Sequence, residues 1–223
     1  MIKTLICIDR DGTLIYDEKE HLYLGRDNGW KAKVKLLPYV VEGMRRLKAI
    51  PDAAVYMITN QPGVAITDFP LLTLERADEV CKYILEKIKD IGGRIDGYFL
   101  CPHANQAYVK KYTQYHFDER LVCECSCIKP DLGMIFDALR SEGVTPGSVS
   151  IYMIGDRATD VQTALNMGGT GILVPFENQQ GEDQEVNKIK DQSRVYIAKN
   201  LLDAAEFITF HTRSGKRSDL KGS

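Results

Sequence analysis

No apolar run in these 223 residues approaches the length of a membrane span. The N-terminus has one Lys followed by a strand-like run ending in Asp-Arg-Asp, so it does not read as a signal peptide. A cytoplasmic location is expected. There is no excess of either charge: 29 Lys and Arg stand against 31 Asp and Glu, a net charge of -2. Such a chain has no global field to draw in nucleic acid or an acidic membrane surface, so neither is an expected partner. An anionic substrate must be held by local charges or a metal. There is no internal repeat and no low-complexity segment. Nor is there a disulfide framework: Cys7 and Cys81 stand alone in apolar surroundings, while Cys101, Cys123, Cys125 and Cys127 cluster. In a cytosolic chain such a cluster favours a metal over disulfides.

What is present is ordinary globular material, 44% hydrophobic and 27% charged. Short runs rich in β-branched residues recur at 4–8, 53–58, 97–100, 149–154 and 171–174, with a weaker sixth at 194–198. Between them, 38–49, 70–91, 131–142, 158–167 and 201–210 place apolar residues at helical spacing. Pro38 and Pro70 suit first helical turns, and Gly143 suits a C-terminal stop. This alternation predicts an α/β fold, a Rossmann-like parallel sheet with helices on both faces. Residues 1–211 are expected to form one domain and 212–223 a disordered, solvated tail. The segment 17–35 reads as a loop beside the site, and 177–193 as an acidic excursion. A compact monomer is the expectation.

Three polar signatures follow directly on three apolar strands. They are Asp9-Arg10-Asp11-Gly12-Thr13, Thr59-Asn60-Gln61-Pro62-Gly63 and Gly155-Asp156-Arg157-Ala158-Thr159-Asp160. Each alone has a structural explanation, as a turn, a loop or a helix cap. Together they stand at equivalent strand ends, where an open parallel sheet binds its ligand. Asp9, Asp11 and Asp156 can hold a hard divalent cation through oxygen, and Mg²⁺ fits best. With the metal offsetting repulsion between anions, one carboxylate can attack phosphorus. The second, two residues away, can protonate the leaving oxygen and later activate water. The Thr59 hydroxyl and backbone N–H groups after Asn60 can cradle phosphate oxygens, and Lys129 is the candidate cation. Cys101-Pro102-His103 and Cys123-Glu124-Cys125-Ser126-Cys127 bracket a polar loop with the parts of a closed tetrahedral, structural Zn²⁺ site. Spacing alone permits Cys123 with Cys125, or Cys125 with Cys127.

The ordered set "DRDGT", "TNQPG", "CIKP" and "GDRATD" resembles the haloacid dehalogenase (HAD) superfamily over roughly residues 3–174. More narrowly, it is similar to the small phosphatases of histidinol phosphate and D-glycero-D-manno-heptose 1,7-bisphosphate. The resemblance implies that Asp9 is the nucleophile, forming an aspartyl-phosphate, and Asp11 the general acid/base. Thr59, Asn60 and Lys129 would bind phosphate. Mg²⁺ would be held by Asp9, Asp156 and the backbone carbonyl of Asp11, with Asp160 in support. The last zinc ligand, two residues before the lysine, selects Cys125 and Cys127 to join Cys101 and His103, leaving Cys123 spare.

The spacings 9–59 and 59–129 leave no room for a cap domain. The open crevice would admit a small phosphorylated metabolite, a sugar phosphate such as D-glycero-D-manno-heptose 1,7-bisphosphate, or alternatively histidinol phosphate. A polynucleotide 3′-phosphatase is a further alternative; it would need Trp30, Tyr108, Tyr112 and Tyr115 as stacking rings beside Lys110 and Lys111. Two positions depart from the family pattern. Ile128 stands where it has Arg, and Ala65-Ile66-Thr67-Asp68 lacks the Arg expected after the second motif. His116 and His211 read as surface histidines, as does His21.

Overall fold

The computed structural model describes residues 1–17, 23–176, 181–189 and 191–213. Six strands form one parallel sheet: β1 (Thr4–Ile8), β2 (Ala53–Asn60), β3 (Gly97–Cys101), β4 (Ser150–Gly155), β5 (Thr170–Leu173) and β6 (Val195–Ile197). Their order is β3-β2-β1-β4-β5-β6, so β1 lies centrally and successive strands are added outward on each side. Ligands of such sheets gather where the winding direction reverses, here at the carboxyl ends of β1 and β4.

The apolar runs are continuous rather than alternating because helices cover both faces. Leu5, Ile6, Cys7 and Ile8 are all fully buried. Side chains alternate across a strand, so Ile6 and Ile8 enter one core and Leu5 and Cys7 the other. The first core is closed by α2 (Val40–Lys48), α3 (Leu74–Asp90) and α8 (Leu201–Arg213); the second rests on α5 (Gly133–Ser141). The remaining helices are α1 (Trp30–Lys33), α4 (Gln106–Lys111), α6 (Ala158–Asn166) and α7 (Glu182–Asn187). Among the described residues no helix is long and apolar enough to cross a membrane.

The two prolines stand outside their helices. Thr73 caps α3 by accepting a hydrogen bond from the Arg76 N–H, which leaves Pro70 in the preceding turn. α2 begins at Val40 after Tyr39 in the left-handed region, two residues past Pro38. Gly143 follows α5 at φ 63°, as expected of a helix stop. α8 continues through Thr212 and Arg213, beyond the boundary expected at 211; residues 214–223 lie outside the described residues.

Candidate active site

The three signatures meet in a crevice of about 300 Å³ above the carboxyl ends of β1, β2 and β4. Asp9 leaves β1, Thr59 and Asn60 end β2, and Asp156 follows β4. Asp160 sits in the first turn of α6, and Lys129 reaches in from the chain ahead of α5. The Lys129 ammonium is 2.6 Å from Asp9 Oδ1, 2.6 Å from Asp160 Oδ1 and 3.3 Å from the Ile58 carbonyl. Asp9, Lys129, Asp156 and Asp160 are all buried. The ammonium therefore cross-braces two carboxylates that are far apart in the sequence.

Ligand atoms of Asp9, Asp156 and Asp160 lie within 4.8 Å of one another. Burying three carboxylates so close together penalises their ionised forms. Desolvation, opposed by Lys129, pushes Asp9 from 3.8 up to about 6. Desolvation and then the Asp9 and Asp160 charges hold Asp156 well above the ordinary carboxylate range. Both oxygens of Asp156 are buried without a hydrogen-bond partner, and the Arg157 Nε lies 4.0 Å away. An orphaned, desolvated carboxylate among two others is a donor set that fits a hard divalent cation.

The backbone conforms to this group. Gly12 has φ +77°, and a Cβ there would stand 2.2 Å from Asp156 Oδ2. A side chain after Asp11 would occupy the space of the carboxylate. Asp160 is fixed twice: Oδ2 accepts from the Arg157 N–H at 3.1 Å, capping α6, while Oδ1 faces Lys129.

Asp11 stands apart from the three-acid group. Its carboxylate is held by Arg10 and Gln61, and Gln61 also donates to Thr59 Oγ1 at 2.7 Å. Thr59 is buried and lines the crevice. Asn60 lines it too, but its side chain is committed elsewhere. Oδ1 accepts from the Lys129 N–H at 3.0 Å and Nδ2 donates to the Lys129 carbonyl at 3.4 Å. It thereby fixes the backbone that carries the ammonium. The Gln61 N–H donates to the Cys101 carbonyl at 2.7 Å, so this amide is not free for a phosphate oxygen.

One wall is built by Tyr23, Pro62, Tyr108 and Ile128, and the other side by Asp17, Arg157 and Glu182. The Tyr23 and Tyr108 hydroxyls share a hydrogen bond at 2.7 Å. Asp17 and Tyr23 do fall in the loop expected beside the site; residues 18–22, His21 among them, lie outside the described residues. Glu182 comes from α7 in the acidic excursion, a contribution that the sequence did not announce. Trp30 is buried in the first core against Tyr83 and offers no ring to a ligand. Tyr112 and Tyr115 do not line the crevice, which leaves Tyr108 alone of the four expected stacking rings. His116 is exposed beside Asp68, whereas His211 is half-buried against Phe207 rather than solvated.

The second metal-type group lies beside this wall. Cys101 Sγ is 3.6 Å from His103 Nδ1, 3.6 Å from Cys125 Sγ and 2.6 Å from Cys127 Sγ. Cys127 Sγ is 3.4 Å from His103 Nδ1 and 3.1 Å from Cys125 Sγ. Tetrahedral sulfur ligands about zinc stand roughly 3.7 Å apart, a spacing that the Cys101–Cys125 pair matches, while both pairs that include Cys127 are closer than that. Burial pushes the Cys101 thiol up, and the Cys127 thiol to about 11, which a bound cation would reverse. Cys123 is outside this four-residue group. His103 and Ile128 carry the loop into the crevice wall.

Comparison with known proteins agrees with the geometry. A family profile described as HAD-hydrolase-like matches residues 126–204. The D-glycero-beta-D-manno-heptose-1,7-bisphosphate 7-phosphatase of Photorhabdus laumondii is 29% identical over 204 residues, covering 91% of this chain and 94% of that protein. The histidine biosynthesis bifunctional protein HisB of Blochmanniella floridana is 30% identical over 169 residues. The match takes in 75% of this chain but only 40% of that longer protein. Among solved structures, the D,D-heptose 1,7-bisphosphate phosphatase from B. bronchiseptica, complexed with magnesium and phosphate, superposes with a TM-score of 0.69. It is 22% identical and covers 93% of this chain and 99% of that one, which speaks to the fold. With four motifs in order on one six-stranded parallel sheet, the chain is similar to haloacid-dehalogenase-like hydrolases, and among them to phosphatases.

Proposed function

We propose that the chain is a Mg²⁺-dependent phosphomonoesterase that works through an aspartyl-phosphate on Asp9. The carrying observation is Lys129 braced between Asp9 and Asp160, next to the orphaned Asp156. Asp9, Asp156 and the Asp11 carbonyl would hold Mg²⁺, with Asp160 in support; the ion would supply charge neutralisation between the carboxylates and the phosphoryl group. Lys129 offsets part of the charge at Asp9 and keeps Oδ1 turned toward the crevice. A phosphoryl group docked over Asp9 receives a hydrogen bond from Thr59, whose Oγ1 already accepts from Gln61 and so has its own proton to give. Asp9 attacks phosphorus as the ester oxygen leaves with the proton of Asp11. Water then attacks the acyl phosphate, returns a proton to Asp11 and frees phosphate. Zn²⁺ on Cys101, His103, Cys125 and Cys127 would hold the wall that carries His103 and Ile128, away from the reacting atoms.

The substrate is a small phosphorylated metabolite. A heptose 1,7-bisphosphate is one reading, supported by the 94% coverage of the Photorhabdus relative. The crevice favours a second, a monoester with one phosphate and a ring on the leaving group, such as histidinol phosphate. Lining cations among the described residues are Arg10, Lys129 and Arg157. The first two are held by Asp11, Asp9 and Asp160, Arg157 stands 3.9 Å from Asp17 and 4.0 Å from Asp156, and Ile128 offers no donor to a second phosphate. Hydrolysis of both esters and a sugar-phosphate panel, with and without Mg²⁺, tests the assignment. Mg²⁺-dependent phosphate release is expected, with histidinol phosphate turned over faster if the second reading holds. No release from any ester by metal-loaded protein refutes the function.

A further inference from the structure

Arg10 is among the largest fully buried side chains and lies between the two first-motif acids. A buried guanidinium must be paired and hydrogen-bonded to be tolerated. Its Nε lies 3.1 Å from both oxygens of Asp11, and its Nη2 is 2.8 Å from Asp11 Oδ2. Nη2 also donates to Gln61 Oε1 at 2.7 Å, and Nη1 faces the Cys81 sulfur at 3.8 Å. Gln61 closes the triangle by donating from Nε2 to Asp11 Oδ2 at 2.8 Å. The amide orientation follows from the chemistry, because guanidinium has no acceptor and only Oε1 can face it.

The donors divide unequally. Asp11 Oδ2 meets Arg10 Nε, Arg10 Nη2 and Gln61 Nε2, whereas Oδ1 has only a share of Nε. A carboxylate oxygen offers about two lone-pair sites, so Oδ2 has none left for a proton. We propose that Arg10 and Gln61 are positioning residues that clamp Asp11 through Oδ2 and make Oδ1 the atom that carries the transferred proton. This rests on the phosphatase reading above. In the first step Asp9 forms its bond to phosphorus while the ester P–O bond breaks. The bonding pair leaves with the ester oxygen, which takes the proton from Asp11 Oδ1. In the second, water adds to phosphorus, its proton returns to Oδ1, and the Asp9–phosphorus bond breaks. Gln61 connects the two halves of the reaction, since its other N–H fixes the Thr59 hydroxyl.

The test compares esters of similar size that differ in their need for that proton. Benzyl phosphate leaves as an alkoxide and requires it; p-nitrophenyl phosphate leaves as a stable phenolate and hardly does. kcat/KM for each is measured with Mg²⁺ on the parent, Arg10→Met, Gln61→Met, Asp11→Asn and both double variants with Asp11→Asn. Gln61→Met keeps every charge, so it carries the test if Arg10→Met fails to fold. Damage to Thr59 or to the fold falls on both esters alike, because they share the phosphoryl group. We expect each single variant to lose about 10-fold more on benzyl phosphate than on p-nitrophenyl phosphate. That extra loss should vanish in the Asp11→Asn background. Equal losses on the two esters, or an extra loss that persists without Asp11, overturns the clamp while leaving the phosphatase intact. A parent inactive on both esters overturns the phosphatase reading and the clamp with it.

Discussion

The three-acid group should make stability depend on Mg²⁺ and pH together. Asp9 is raised from 3.8 to about 6 in the folded chain, first by burial. Below pH 3.8 it is protonated whether folded or not and costs nothing. Between the two values the folded chain keeps a proton that the unfolded chain has released, so stability falls as pH rises. Above about 6 the full cost remains. The difference, 6 - 3.8, is 2.2 units, or about 3 kcal/mol for Asp9 alone in the metal-free protein. Asp156 acts in the same direction. Mg²⁺ would bind the ionised acids, so its stabilising increment should be small near pH 4.5 and grow as pH rises through 6. At a hundredfold excess over Kd the increment is about 2.7 kcal/mol. For a chain of this size that is roughly 5–10 °C in Tm. Thermal melts in Mg²⁺-free and Mg²⁺-saturated buffer across this range measure it. Asp156→Asn removes the orphaned charge at nearly constant volume; it should melt above the parent without metal and respond little to Mg²⁺. An increment independent of pH, or one retained in Asp156→Asn, refutes the reasoning.

Other substitutions separate the parts. Gly12→Ala forces a left-handed residue against Asp156 and should cost at least ~2 kcal/mol, with a depressed Tm and a weakened Mg²⁺ response. Asp11→Asn should slow turnover by ~10²–10⁴-fold yet keep the Mg²⁺ increment, read by kinetics and melting on one preparation. Cys127→Ser should lower bound zinc by elemental analysis and expose the 101–129 loop to proteolysis, while Cys123→Ser keeps the zinc; the reverse pattern would show that Cys123 is the ligand.

Much of this was legible in the sequence because the sheet is buried on both faces. Five continuous apolar runs stood out, and the polar residue after each of three marked its carboxyl end. β2 runs two residues further than its apolar stretch, through Thr59 and Asn60, because pairing with β3 continues where hydrophobicity stops. α1, α4 and α7 span four to six residues and are too short to show helical periodicity. Pro70 marks a turn because Thr73 supplies the better cap. Trp30 reads as polar-loop material, since its neighbours are polar, but packs into the core. Arg10 and Gln61 were missed as functional residues, although a signal existed. Successive side chains of extended chain alternate, and past a strand covered on both faces the residue between two acids has to enter the protein. The four-ligand choice of Cys125 and Cys127 came from resemblance, since spacing alone left two pairs open.

The claim on which the mechanism depends is that phosphorus becomes bonded to Asp9. A crystal structure of the Mg²⁺-loaded protein with beryllium fluoride measures it directly. The account predicts a tetrahedral fluoride group on a carboxylate oxygen of Asp9, within reach of Thr59 and Lys129. The same group bonded to Asp11, to Asp156 or to no side chain at all would contradict it.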